Sequence, residues 1–374
     1  MNNKTICFVT TGDIKTIATS KRALGLANHL NNLGWNVYIL MADKGENRHR
    51  VDMECSSDIH VIFQTFNSAK DEVSKKNKEI KNIQPDYLYI CGPVFRNMVK
   101  CPKGCKMLIE HAELQSGFLE KKGLKKMKHL FEEYYSIIKA DGLLNASVYL
   151  QKVFKERAKK VFKGKLPMLY YPYAYSGNTL KNVNIDYTTD KFKRFNNKKT
   201  FIFLGTVTRN YGVFTIMDAI KKLKDKYDNF QVCILGRGRH FDEAKSYVQE
   251  NNLDSIVFMP GFIEEEEISE YFSMADAFIS PMNDTVQDWA RCPSKLYMYL
   301  PYKKPIITCK IGEPYEVLKD EGLYYEPGNS SEMAERMQQV INGEKLDINI
   351  DPLQHEWKAK AIELDKWIKQ TFNK

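Results

Sequence analysis

The amino-acid sequence predicts an α/β protein made of two doubly wound domains. Three observations carry that expectation. Short apolar runs alternate with amphipathic helical patterns along the chain, and the alternation starts again at Lys199. The chain has 374 residues, 43% of them apolar, more than one ordinary hydrophobic core holds.

The elements follow in order. KTICFVTTG, from Lys4, reads as a strand running into a glycine turn, and its brief apolar run fits a first buried strand rather than a secretory leader. Next, Ala23, Leu26, Ala27, Leu30 and Leu33 recur at helical spacing, with Ser20 as cap and Gly34 as stop. WNVYILMAD, IHVIFQT, PDYLYICG and KMLIEHAE are further strands. Strands separated by helices imply right-handed crossovers and a parallel sheet covered on both faces.

From Lys199 the pattern repeats. KTFIFLGTVTRNYG is a strand and glycine turn, FTIMDAIKKLKDKY an amphipathic helix, and FQVCILGRG, DSIVFMPG, ADAFISP and KPIITC are strands. The polar, Asn-rich stretch 176–199 separates the two sets. The expected organisation is an N-terminal domain over residues 1–180 and a C-terminal domain over 195–350. A final segment, 351–374, carries a helix that returns to the N-terminal domain.

Composition narrows the function classes. No run of about 18 apolar residues occurs, which argues against a spanning helix. Several of the eight cysteines sit inside strand-like runs, as small hydrophobes do in a reducing compartment. The one close pair, Cys101 and Cys105, has no second pair at metal spacing, so no metal site is expected. The formal charge of +9 is concentrated in residues 119–165, where thirteen Lys and Arg face five acids. Such a stretch is either a solvated helical face or an attraction to an anionic membrane surface or acceptor. It lacks the interleaved aromatic platform of a single-strand reader, so no nucleic-acid partner is expected.

Ligands of open parallel sheets bind beyond the carboxyl ends of the strands. The loops that fall there are residues 10–13, 110–113, 205–212, 236–238 and 281–295. Two sheets facing each other would gather them round a cleft.

One set of motifs is more specific. FLGTVTRNYGV, ILGRG, VFMPGFIEEEEISEYFSMADAFISP, CPSKLYMYLPYKKPIIT, IGEPYEVL and GLYYEPGN follow one another over residues 201–340. In that order they resemble the C-terminal domain of retaining glycosyltransferase family 4. The first half resembles the family more loosely, through its opening glycine loop, EHAE and KADGLLNAS. The resemblance implies the GT-B architecture, two Rossmann-like domains facing a cleft. It implies sugar transfer, with retention, from a nucleotide sugar to a saccharide or lipid-linked acceptor, in surface polysaccharide or glycolipid biosynthesis. It further implies no cofactor besides the donor and no metal ion. The expected location is cytoplasmic, with the basic stretch 119–165 allowing peripheral attachment to the inner face of the membrane.

The departures from the family pattern lie at the chemistry. Thr206 and Tyr211 stand where the family has an Arg and a Lys, and Ala290 and Met298 where it has two Glu eight apart. Lys295 matches. A departing nucleoside diphosphate needs cations, backbone N–H groups or a helix N-terminus. Arg209, Arg237, Arg291 and Lys295 are the candidate cations, and Asp288 and Glu316 the candidate partners for donor hydroxyls, with Asp284 nearby. Gly12 and Gly205 would let backbone approach a ligand. On the acceptor side, His111 and Glu113 follow a strand end and are the candidate catalytic pair. Two other readings are open: a non-catalytic nucleotide- or partner-binding protein, and a nucleotide-sugar 2-epimerase, for which no acid–base pair is identified.

Overall fold

Seven short apolar segments build the first sheet: β1 (Thr5–Val9), β2 (Asn36–Ala42), β3 (His60–Gln64), β4 (Tyr87–Ile90), β5 (Lys106–His111), β6 (Gly142–Asn145) and β7 (Met168–Tyr170). Six build the second: β8 (Lys199–Leu204), β9 (Phe230–Leu235), β10 (Val257–Gly261), β11 (Ala277–Ser280), β12 (Ile306–Thr308) and β13 (Leu323–Tyr324). The computed structural model describes residues 4–14, 18–177, 181–346 and 348–372. Among these, every strand pairing is parallel.

The strand orders are β3-β2-β1-β4-β5-β6-β7 and β10-β9-β8-β11-β12-β13. Each sheet therefore starts in its middle and reverses direction beside its first strand, between β1 and β4 and between β8 and β11. These reversals are the switch points where such sheets open a crevice. The predicted α/β class with two doubly wound sheets is what the chain adopts.

Burial follows the parallel arrangement. All six residues of β9, FQVCIL, are buried, as expected when helices cover both faces. In the first sheet, Ile6, Phe8, Ile39 and Tyr89 pack on one side and Cys7, Val9, Leu40 and Leu88 on the other. One apolar cluster, including Phe201, Phe203, Ile216 and Ile234, organises the second.

Two compact units result. One comprises Met1–Ala174, Ala290–Cys292 and Leu353–Lys374, the other Tyr175–Trp289 and Pro293–Pro352. The helix Trp357–Phe372 belongs to the first: Trp357, Ala361, Leu364 and Ile368 share a core with Ala23, Leu26 and Leu30. The Trp35 indole donates to Asp365 at 2.9 Å and the Tyr171 hydroxyl to the Lys360 carbonyl at 2.7 Å. The contact is close enough that a Cβ on Gly25 would lie 2.5 Å from the Trp357 ring. None of the eight cysteines is joined in a disulfide. Among the described residues no helix is long and apolar enough to cross a membrane.

Candidate functional site

In the second unit the ends of β8, β9 and β10 are stitched together by backbone. Gly205 donates to the Leu235 carbonyl at 2.9 Å, Val207 to Arg237 at 3.1 Å and Gly236 to Gly261 at 2.7 Å. Gly236, at φ +134°, has no room for a side chain: a Cβ there would lie 2.1 Å from the Gly205 carbonyl oxygen. Gly212, at φ +74°, meets the loop after β11 in the same way, since its Cβ would fall 2.4 Å from Cβ of Pro281. The helix Val213–Leu223 starts immediately after Gly212 without a side-chain cap. The first N–H groups of a helix have no intrahelical partner and suit an anion.

The candidate cations fall into different settings. The Lys295 ammonium lies 4.0 Å from the Phe203 ring centroid and 3.4 Å from where a Cβ on Gly205 would sit. Buried beside the first glycine of the cradle, it is the cation most closely built into this site. Arg237 is exposed, lies over Phe241 with its Cζ 5.0 Å from the ring centroid, and runs along Gly261. The Arg209 guanidinium is paired with Glu243 and lies 4.5 Å from the Phe214 centroid. Exposed pairs of this kind are weak, so Arg209 can leave Glu243 at small cost.

The acids are also sorted by structure. Buried Asp288 accepts from the Thr285 hydroxyl at 2.8 Å and the Asn283 amide at 3.4 Å, while that amide also donates to the Asn210 carbonyl at 2.7 Å. Asp288 thus braces the loop after β11 against the glycine loop after β8. Asp284 accepts from the Trp289 indole at 2.8 Å. Glu316 forms a surface pair with Lys319 at 2.7 Å. Its neighbour Glu313, which the sequence did not single out, is fully buried and takes the Tyr297 hydroxyl at 2.5 Å.

In the first unit the glycine loop after β1 is held from below. Gly12 has φ +71°. The Asn47 amide donates to the carbonyls of Gly12 at 3.0 Å and Ala42 at 2.8 Å, and its oxygen accepts from Ile14 N–H at 2.8 Å. The Thr11 hydroxyl donates to Glu72 at 2.7 Å, and Lys76 and Arg96 reach the same carboxylate, each at 2.7 Å. Burial opposes ionisation of Glu72, but Lys76, Thr11 and Arg96 outweigh it and hold its pKa below the ordinary carboxylate value. Beneath the sheet end, Arg22 and Glu110 form a buried pair at 2.7 Å; Tyr89 donates to Glu110 at 3.1 Å and Arg22 to the Pro172 carbonyl at 2.9 Å.

His111, the last residue of β5, is fully buried, with its ring 3.8 Å from that of Phe154. Ser136 donates its one proton to the Glu133 carbonyl at 2.6 Å, so at 2.8 Å it accepts from Nε2–H of His111. That fixes the tautomer and leaves the lone pair on Nδ1, which has no hydrogen-bond partner among the described residues. Burial first, then the Arg157 charge, push the pKa down to about 3. His111 is therefore neutral near pH 7; Nδ1 can accept a hydrogen bond, but the ring holds no spare proton to give as a general acid.

Glu113 is half-buried and accepts from the Gln115 amide at 2.6 Å. Burial pushes its pKa up against the charges of Lys121 and Arg291. Arg291 belongs to this unit through its segment Ala290–Cys292, which is tied in by Ser147 donating to the Ala290 carbonyl at 2.7 Å and Tyr173 N–H to the Cys292 sulfur at 3.2 Å. The sequence assigned Arg291 to the diphosphate; the structure sets it where its charge acts on Glu113.

Residues 185–363 match the family model described as glycosyl transferases group 1. The 2-deoxystreptamine N-acetyl-D-glucosaminyltransferase of Niallia circulans is 22% identical over 151 residues, which is 40% of this chain and 38% of that protein. The match thus spans little more than a third of that relative. Sucrose-phosphate synthase from Thermosynechococcus elongatus superposes with a TM-score of 0.75 at 15% identity, covering 99% of this chain and 100% of that one. Anabaena Alr3699/HepE, solved with UDP and glucose, gives 0.74 at 13% identity, covering 98% and 99%. At such identities the likeness speaks for the fold. Residues 185–363 are thus similar to a group 1 glycosyltransferase domain, and the fold is that of its GT-B structural neighbours.

Proposed function

We propose that the protein is a retaining glycosyltransferase, taking a sugar from a nucleotide-sugar donor and placing it on a saccharide or lipid-linked acceptor in surface polysaccharide or glycolipid synthesis. The work is done on the cytoplasmic side of the membrane, with peripheral attachment to its surface. The observation that carries this reading is Lys295, buried against Phe203 beside Gly205, next to strand ends that only glycine can line.

Breaking the sugar–phosphate bond leaves a nucleoside diphosphate. The charge that develops on it is what the second unit is equipped to meet: Lys295, the open N-terminus of Val213–Leu223, and Arg237 along its glycine ledge. Arg209 is a reserve cation that joins once it releases Glu243. Asp288 keeps the loop after β11 in register with the cradle. In this reading protein cations do the neutralising, without a divalent ion. The acceptor role falls to the first unit. There Glu113, with its raised pKa, is the carboxyl able to exchange a proton, and neutral His111, buried two residues before it, keeps an Nδ1 acceptor that a hydroxyl can use once the ring is uncovered.

UDP is the first nucleotide to test, because Alr3699/HepE was solved with it. The experiment is calorimetric titration with UDP, followed by release of UDP from UDP-glucose and UDP-N-acetylglucosamine. Binding with slow release of UDP in the absence of acceptor supports the reading. The second reading, a binding protein without turnover, is motivated by Thr206, Tyr211, Ala290 and Met298 at the family's Arg, Lys and Glu positions. It predicts binding with no release from any donor.

A further inference from the structure

The helix Gly123–Lys139 turns its polar side inward. Glu132, Glu133 and Ser136 are buried. Glu133 takes Arg157 at 2.5 Å and the Ser116 N–H at 2.9 Å, and Glu132 takes the Phe95 N–H at 3.0 Å. The opposite side is apolar and uncovered: Leu124, Met127, Phe131 and Ile138 are exposed by 89%, 64%, 62% and 51%. With Tyr135 they follow at steps of three and four, so they form one stripe along the helix. Phe162, 99% exposed, stands in the turn after the next helix, beside a surface hollow it shares with Ala140 and Asp141 at the end of the stripe.

The stripe is set among cations. Lys122, Lys125, Lys126, Lys128 and Lys139 are exposed along the helix, and Lys159, Lys160 and Lys165 flank Phe162. A folded domain rarely leaves so many large apolar side chains together in water without a use for them.

We propose that this face docks on an anionic lipid surface, the stripe and Phe162 entering the headgroup–acyl boundary while the lysines meet lipid phosphates. The charge selects the occupant. A second copy seated on the stripe would set one lysine cluster against another, and an uncharged apolar partner would leave the lysines unmatched. The inference rests on the proposed transferase only for its purpose, delivery to a lipid-linked acceptor; docking itself needs no catalysis.

The test uses the full chain, co-sedimented with vesicles of phosphatidylcholine alone or with phosphatidylglycerol added. Affinity for the anionic vesicles should be about tenfold or more higher and should fall with salt. The triple substitution Leu124→Ser, Met127→Ser, Phe131→Ser should weaken binding about tenfold or more. Lys125→Gln with Lys126→Gln and Lys128→Gln should abolish the preference for anionic lipid. Because all six positions are exposed, melting and UDP release from donor should be unchanged, which separates failure of docking from failure of the transferase reading. Equal binding to both vesicles, or none, overturns the proposal. So does self-association of the wild type that the serine variant abolishes, which would make the face an interface between copies.

Discussion

Acidification should destabilise the first compact unit through His111. In the folded chain its pKa is pushed down to about 3, against about 6.5 for a histidine in an unfolded chain. Because the folded value lies below the unfolded one, the unfolded state takes up the proton first. The stabilising contribution is complete above pH 6.5 and is lost as the pH falls toward 3. At pH 4.5 the unfolded ring is almost fully protonated and the folded ring almost fully neutral, which costs about 2.7 kcal/mol of stability relative to pH 8. The measurement is urea denaturation at both pH values, with hydrogen exchange at β5 reporting the first unit separately from the second. His111→Asn loses the stacking on Phe154 and should be weaker at every pH, but its change between pH 8 and 4.5 should be smaller by about 2–3 kcal/mol. An equal change in both proteins would refute the argument, as would an NMR titration placing the His111 ring near 6.5.

Three further outcomes follow from the same structure. Gly236→Ala, with its Cβ at 2.1 Å from the Gly205 carbonyl, should force the cradle apart and weaken UDP binding about tenfold or more in calorimetry, while the rest of the second unit still melts cooperatively. Arg22→Met leaves Glu110 buried without its partner and should cost about 3–5 kcal/mol in denaturation, part of which Arg22→Met with Glu110→Leu should restore. Turnover should survive EDTA, because protein cations carry the diphosphate charge in the proposed reaction; complete loss restored by magnesium or manganese would contradict that part of it.

The architecture was legible in the sequence because it is written at short range. Apolar runs at strand length, helical patterns between them and glycines at strand ends each depend on a few neighbouring residues. What was not legible depends on which face of an element is covered. Arg22 shares the phase of Leu26 and Leu30, and Glu72 and Lys76 that of Ile80, yet these charges at core positions were not singled out from the sequence, and their partners Glu110 and Arg96 lie far along the chain. The block of positive charge at 119–165 was visible. That Gly123–Lys139 packs through Glu132, Glu133 and Ser136, leaving Leu124 and Phe131 outside, inverts the usual reading of an amphipathic pattern and follows only from the tertiary contacts. Arg209 looked like a free cation until Glu243, 34 residues on, was placed against it. The attachment of Ala290–Cys292 to the first unit, although it lies within the second half of the sequence, is a long-range contact of the same kind.

The central claim is that Lys295, beside Gly205, holds the donor diphosphate as it departs. Its direct test is the donor kinetics of Lys295→Ala against wild type, with folding checked by thermal melt. A charge-assisted hydrogen bond to phosphate is worth about 1.5–3 kcal/mol, so kcat/KM for the donor should fall about 10- to 150-fold. Much of that loss should appear in kcat, since the charge grows as the bond breaks. Lys295→Arg should recover part of it. A folded Lys295→Ala protein with wild-type kcat and donor affinity would contradict the account and place the diphosphate elsewhere.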